Sequence, residues 1–187
     1  MKRFAAVPVA IVVALAALLL TQEDGEQAGD TGPVSGPALP SDARAASVVR
    51  VVDGDTVELG GGLGKSRLIG VDTPEVYGGV KCFGREASAY AKGQLDGERV
   101  RYAVGREERD RYGRLLVYLW LEDGRSFNAM LVSRGYAEPL TIQPNSDYAG
   151  LFARLSSGAR QRAVGLWARD GCGGAYKIER REGRLAR

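Results

Sequence analysis

Arg67-Leu68-Ile69-Gly70-Val71-Asp72-Thr73-Pro74-Glu75 is the stretch that decides how the rest of the chain is arranged. Leu68, Ile69 and Val71 read as the filling of a strand buried on both faces, and Ser66 to Val71 is assigned as that strand. Pro74 has no N–H to give to a ladder and pushes Thr73 towards extended backbone, so the strand ends there. Arg67 stands near its start, and two carboxylates, Asp72 and Glu75, stand where it runs out. A strand held by buried neighbours thus delivers three charges to one end of a sheet, which is how a scaffold fixes a site.

Upstream, Ser47 to Leu59 reads as strand, tight turn and strand, with Asp53-Gly54-Asp55 at the turn. Asp-Gly between β-branched runs is the strongest short hairpin signal. Asp53 and Asp55 are two apart and share a face in extended geometry. A second glycine turn, Gly60 to Gly64, leads into the strand above and completes an antiparallel meander. Downstream, Val76 to Phe83 is irregular, and Gly84 to Leu95 is a helix with Ala87, Ala91 and Leu95 stacked at helical spacing. Arg99 to Val104 is a fourth strand, Gly105 to Gly113 a charged loop, and Arg114 to Leu121 a fifth strand. Ser126 to Arg134 is a second helix stopped by Gly135. Leu140 to Asn145 is extended, Asp147 to Ala163 is a third helix, and Gly165-Leu166-Trp167 packs after it. Five strands and about three helices, with a helix between the third and fourth strands, predict an α+β fold: a five-stranded closed β-barrel of OB-fold type.

Composition sets the boundaries. Met1-Lys2-Arg3 and the apolar run Phe4 to Leu20 make residues 1–21 either a cleaved signal peptide or an uncleaved membrane anchor through residues 4–20. Residues 22–43 hold Glu23, Asp24, Glu26, Asp30 and Asp42 with no Lys or Arg, and read as a disordered acidic linker. Residues 44–170 form the globular domain, and 171–187 a basic tail. From residue 44 onward 24 basic residues stand against 18 acidic ones. The excess is mostly arginine, whose planar fork matches phosphate, although a solvated arginine-rich surface would give the same balance.

There is no histidine in the chain. That removes Ser-His-Asp and Cys-His catalysis and His-ligated zinc. A metal would have to be held by oxygen, which favours calcium or magnesium, and a general base would have to be a carboxylate, Lys or Tyr. The two cysteines, Cys82 and Cys172, suggest one disulfide in an exported chain, with two buried thiols as the alternative.

Each local signal has a plain structural reading: Asp53-Gly54-Asp55-Thr56 as a hairpin turn, Asp72 as a strand end, Asp110-Arg111-Tyr112-Gly113-Arg114 as a solvated loop. Their joint occurrence in order resembles the staphylococcal nuclease-like (thermonuclease) domain family. The matching residues are Asp53-Gly-Asp55-Thr56, Arg67 to Glu75, and Asp110 to Arg114, supported by Phe83-Gly-Arg-Glu-Ala-Ser, Asn128-Ala-Met-Leu-Val, Pro144-Asn145 and Gly165-Leu-Trp167. The resemblance implies a calcium-dependent phosphodiesterase acting on DNA and RNA. It implies calcium on Asp55, Asp72 and the Thr73 carbonyl, with Asp53 acting through water. Arg67 and Arg114 would clamp the phosphate, Glu75 would be the general base, and Arg111 and Tyr112 would lie near the nucleotide's terminal phosphate. Leu140 and Ile142 stand where the family's best-known member has two base-stacking tyrosines; Tyr136 and Tyr148 are candidates to compensate. If Cys82 and Cys172 are bonded, the disulfide ties the loop beside Glu75 to the chain after the last helix. The expected protein is an exported monomer, secreted or anchored on the outer face of the cytoplasmic membrane. The alternatives are a non-catalytic nucleic-acid-binding barrel and an anchored calcium-binding envelope protein.

Overall fold

The computed structural model describes residues 36–169 together with Gly171 and Cys172. The expected signal or anchor (1–21), most of the expected linker and nearly all of the expected basic tail lie outside the described residues.

The barrel strands are β1 (Arg44–Val51), β2 (Thr56–Leu59), β3 (Gly64–Leu68), β5 (Arg99–Arg109) and β6 (Leu115–Leu121). Between β3 and β5 lie β4 (Gly70–Asp72) and helix α1 (Gly84–Leu95). After β6 come α2 (Phe127–Ser133), β7 (Glu138–Leu140), α3 (Ala149–Gln161) and a 3-10 turn at Gly165–Trp167. The barrel closes in the order β1-β2-β3-β6-β5, and β5 returns to pair with β1. All contacts are antiparallel except β3 with β6, which run parallel with Arg67 opposite Leu116. This is the five-stranded OB-type α+β fold expected from the sequence, including the β1–β3 meander.

The core follows from alternation. Val48, Val57, Leu59, Leu68, Val100, Val117 and Leu119 are all buried. Helix α1 buries Ala87, Ala91 and Leu95, the residues spaced for one face. Ser126 caps α2, accepting from the Ala129 N–H. Asn128 is fully buried within that helix, and its amide is satisfied: it accepts from the Leu119 N–H at 2.9 Å and donates to the Ile69 carbonyl at 2.9 Å. At the other side, the Trp120 indole donates to the Pro37 carbonyl at 2.9 Å and Ala43 is buried, so residues 36–43, at the end of the stretch assigned to the linker, lie against the domain.

The structure differs from the expected elements in four places. The stretch expected to be extended from Leu140 to Asn145 meets strand only at Leu140, where β7 ends. The third strand is not continuous to Val71. Gly70 has φ of 78°, and a β-carbon there would fall 2.6 Å from the Phe152 ring, so the chain kinks under α3. The residues beyond it form β4, which pairs with β7 in a separate two-stranded sheet. The charged stretch after Val104 is strand as far as Arg109, where a loop was expected. Its backbone is held by the Asn145 side chain, which accepts from the Glu107 N–H and donates to the Glu107 carbonyl, both at 2.9 Å. Finally, α3 is shorter than expected by two residues at each end. Cys82 and Cys172 are bonded, joining points 90 residues apart.

Candidate active site

Arg67 is the hub. Its Nη1 donates to the carbonyls of Leu68 and Val71, each at 2.8 Å, so the kink at Gly70 wraps the chain around the guanidinium. Its Nη2 donates to Asp72 Oδ1 at 2.9 Å and pairs with Asp55 Oδ2 at 3.1 Å. Asp55 is fixed from the other side too: Oδ2 accepts from the Thr73 N–H at 2.8 Å and from its hydroxyl at 2.9 Å. Asp53 Oδ1 accepts from the Asp55 N–H at 3.1 Å, which closes the hairpin turn. Gly54 has to be glycine for space, since a β-carbon there would sit 2.6 Å from Thr73 Oγ1. The turn and the strand end are packed directly on each other, and residues 55, 67, 72 and 73 form one hydrogen-bonded cluster.

The cluster is short of positive charge. Burial is the main cause that raises Asp72 from 3.8 to about 6; Arg67 opposes the shift, while Asp55, Glu75 and Glu138 reinforce it. Burial likewise lifts Asp53 to about 6, with the Asp55 charge pushing the same way. Glu75 is exposed at the rim and its charge reaches Asp72; its carbonyl accepts from the Lys81 N–H at 2.9 Å. Glu138 had no local sequence signal. It reaches the site because β4 pairs with β7 in a register that sets Asp72 opposite Glu138.

Arg114 enters from the strand beside β3. In the parallel register Arg67 faces Leu116, so Arg114, two residues earlier, falls on the same face. Asp110 orients it, accepting from Arg114 Nε at 2.7 Å and from its N–H at 3.0 Å. A carboxylate held on Nε fixes the side chain while the two terminal nitrogens stay on the far edge of the fork. Arg111 Nη2 donates to the Tyr112 hydroxyl at 2.6 Å and its guanidinium lies over the same ring at 4.8 Å, so these two residues form a unit on the exposed loop. The two tyrosines considered as substitute base platforms are both half-buried and already in ring contacts: Tyr136 is stacked on Tyr90 at 4.2 Å and on Phe83 at 5.6 Å, and Tyr148 packs edge-on to Tyr118 at 4.8 Å.

The site is thus a cluster of carboxylates and arginine on a closed five-stranded OB-type barrel. Residues 65–169 match the family model described as Staphylococcal nuclease homologue. Among curated proteins, the chain is 32% identical to the Thermonuclease of Staphylococcus intermedius over 90% of this chain and 100% of that protein. It is 34% identical to the Thermonuclease of Staphylococcus hyicus over 74% of this chain and 85% of that protein. It is 38% identical to Endonuclease YhcR of Bacillus subtilis over 64% of this chain, but only 11% of that much longer protein. The chain belongs to the staphylococcal nuclease-like family.

Proposed function

We propose that this protein is an exported, calcium-dependent nuclease that hydrolyses phosphodiester bonds in DNA and RNA. The nuclease activity follows from the family and from relatives named thermonuclease and endonuclease. The observation that carries the finer reading is the cluster in which Asp55, Arg67, Asp72 and Thr73 share hydrogen bonds. The disulfide supports an oxidising compartment, and the basic-then-apolar start of the chain supports export.

The donor set suits a hard cation. It is all oxygen, it carries more carboxylates than arginines, and burial lifts two of those carboxylates, which a cation would reverse. Among the described residues no group of three or more acidic, His or Cys side chains is arranged to hold a metal ion by itself. Asp55 and Asp72 would hold calcium with the Thr73 carbonyl, Asp53 acting through water, and positions left for water and phosphate. When bound, the ion supplies positive charge against the phosphate and lowers the pKa of a bound water.

The chain's own residues do the rest. Arg114 binds the scissile phosphate with its terminal nitrogens, and Arg67, whose terminal nitrogens already serve Leu68, Val71, Asp72 and Asp55, reaches it through Nε or in exchange for a carboxylate; both neutralise charge growing on its equatorial oxygens. Arg111 and Tyr112 bind an adjacent terminal phosphate. Glu75 takes the proton of the attacking water; the water oxygen bonds to phosphorus, the bond to the 5′ oxygen breaks, and that oxygen is protonated from solvent. The products carry a 3′-phosphate and a 5′-hydroxyl. A carboxylate is a weak base, so orientation of the water matters as much as proton affinity.

The test is cleavage of single-stranded DNA by the full chain with calcium and then with chelator. Activity is expected with calcium only, and Glu75→Gln should lower kcat by about 10²- to 10⁴-fold. Full activity in Glu75→Gln would remove Glu75 from the mechanism. No cleavage by the wild type with calcium would remove the enzyme.

A further inference from the structure

The loop that follows Glu75 and helix α1 enclose an open cleft of about 390 Å³ lined by Tyr77 and Val80 on one side and by Arg85, Ser88 and Lys92 on the other. Tyr77 is 63% exposed and Val80 52%, an unusual display of apolar surface for two residues so close together. The ring of Tyr77 is nevertheless held in place. Its hydroxyl donates to the Val52 carbonyl at 3.0 Å, next to Asp53 of the hairpin turn. The loop is also fastened at its far end, where the Gly84 N–H reaches the Lys81 carbonyl at 3.1 Å and Cys82 is bonded to Cys172.

On α1, Arg85, Ser88 and Lys92 recur at helical spacing and present one face to the cleft. Arg85 and Lys92 are exposed, and among the described residues neither forms an ion pair. An anchored aromatic face opposite two cations suits an unpaired nucleotide, with the base on the ring and the phosphate on the helix. The place matters as well, because Tyr77 is two residues from the candidate base. The positions held by stacking tyrosines in the family's best-known member are Leu140 and Ile142 here, and Tyr136 and Tyr148 are half-buried in contacts with other rings.

We propose that this cleft is a nucleotide subsite in which Tyr77 stacks a base of single-stranded nucleic acid and Arg85 and Lys92 hold its phosphate. The proposal rests on the nuclease reading above, and it assigns the grip on the substrate to the loop that carries Glu75. Inside a duplex every base is stacked on both faces and offers none to Tyr77, so the subsite favours single strands.

The experiment measures binding of a single-stranded octanucleotide carrying one 2-aminopurine to the full chain in chelator, with the oligonucleotide checked for integrity. Quenching of the 2-aminopurine is expected with wild type and Tyr77→Phe. Tyr77→Ala is expected to lose the quenching and to bind about 5- to 100-fold more weakly, the loss of one stacked base. The Arg85→Ala/Lys92→Ala variant is expected to flatten the dependence of log Kd on log salt by about 0.7 per lost phosphate contact. Val49→Ala, an exposed site elsewhere on the barrel, serves as the unaffected control. Tyr77→Ala binding and quenching within about twofold of wild type would overturn the subsite. So would an unchanged salt slope in the double variant, or equal binding of inorganic polyphosphate with no effect of Tyr77. In cleavage with calcium, Tyr77→Ala should raise KM and leave kcat. A wild type that binds and quenches but never cleaves would sink the nuclease reading and leave the subsite standing.

Discussion

Asn128→Ala tests whether the site is held in place from behind. The residue is fully buried, and its amide joins three elements: α2 itself, β6 through the Leu119 N–H, and the end of β3 through the Ile69 carbonyl. Ile69 is the last residue before the kink at Gly70, so the bond fixes the point from which the chain turns to wrap Arg67. Truncation to alanine leaves one donor and one acceptor buried without partners, at about 1–3 kcal/mol each, and removes side-chain contacts besides. The expected loss is about 3–5 kcal/mol, a large share of the roughly 5–15 kcal/mol a domain has. For a domain of this size that is about 10–15 °C in Tm. Urea unfolding of wild type and variant measures it. A loss under about 1 kcal/mol would refute the reasoning, because it would mean that water or a backbone shift satisfies both groups at no cost.

Two further outcomes follow from charge and covalent structure. The native pKa of Asp72 and of Asp53 lies near 6 against 3.8 ordinarily, so the native state binds their protons more tightly than the unfolded chain does. Their contribution is therefore fully present below about pH 4 and is lost as pH rises through about 6. In chelator, Asp72→Asn should gain on wild type by on the order of 2–3 kcal/mol between pH 4.5 and 7.5. A pH-independent difference in urea midpoints would show that burial does not disfavour the charge. Reduction of the Cys82–Cys172 bond, which spans 90 residues, should cost at most about 4–5 kcal/mol. An unchanged midpoint for Cys82→Ser/Cys172→Ser would mean that the bond does not restrict the unfolded chain.

The sequence was most legible where local pattern and tertiary role coincide. Helix α1 runs over the residues its periodicity marks, and the Asp-Gly turn falls between β1 and β2 as expected. The break at Gly70 was harder to read, because Leu68, Ile69 and Val71 are buried on either side of it just as a continuous strand would bury them. The contact with Phe152, from a helix some eighty residues on, leaves no room for a side chain at the turn. The extension of β5 to Arg109 was missed for the opposite reason. Its outer half is charged and exposed, and it is held by the side chain of Asn145 and not by an apolar face. Of the candidate site, Arg67, Asp55, Asp72 and Thr73 do converge, while Glu138 and Tyr77 join it through strand pairing and a loop contact that no local spacing encodes.

The parallel pairing of β3 with β6 also governs the order in which the molecule can assemble as it is made. By the time residue 75 has emerged, every carboxylate proposed to hold the cation has been synthesised, yet β3 has an open edge and no neighbour on that side. Its partner strand begins at Leu115, and closure of the barrel also needs β5 to return to β1. Arg114, proposed as the second phosphate arginine, immediately precedes that partner strand, so it arrives with the last barrel seam. A growing chain thus passes through a long interval with an incomplete sheet. Until β6 has been made, the barrel cannot close.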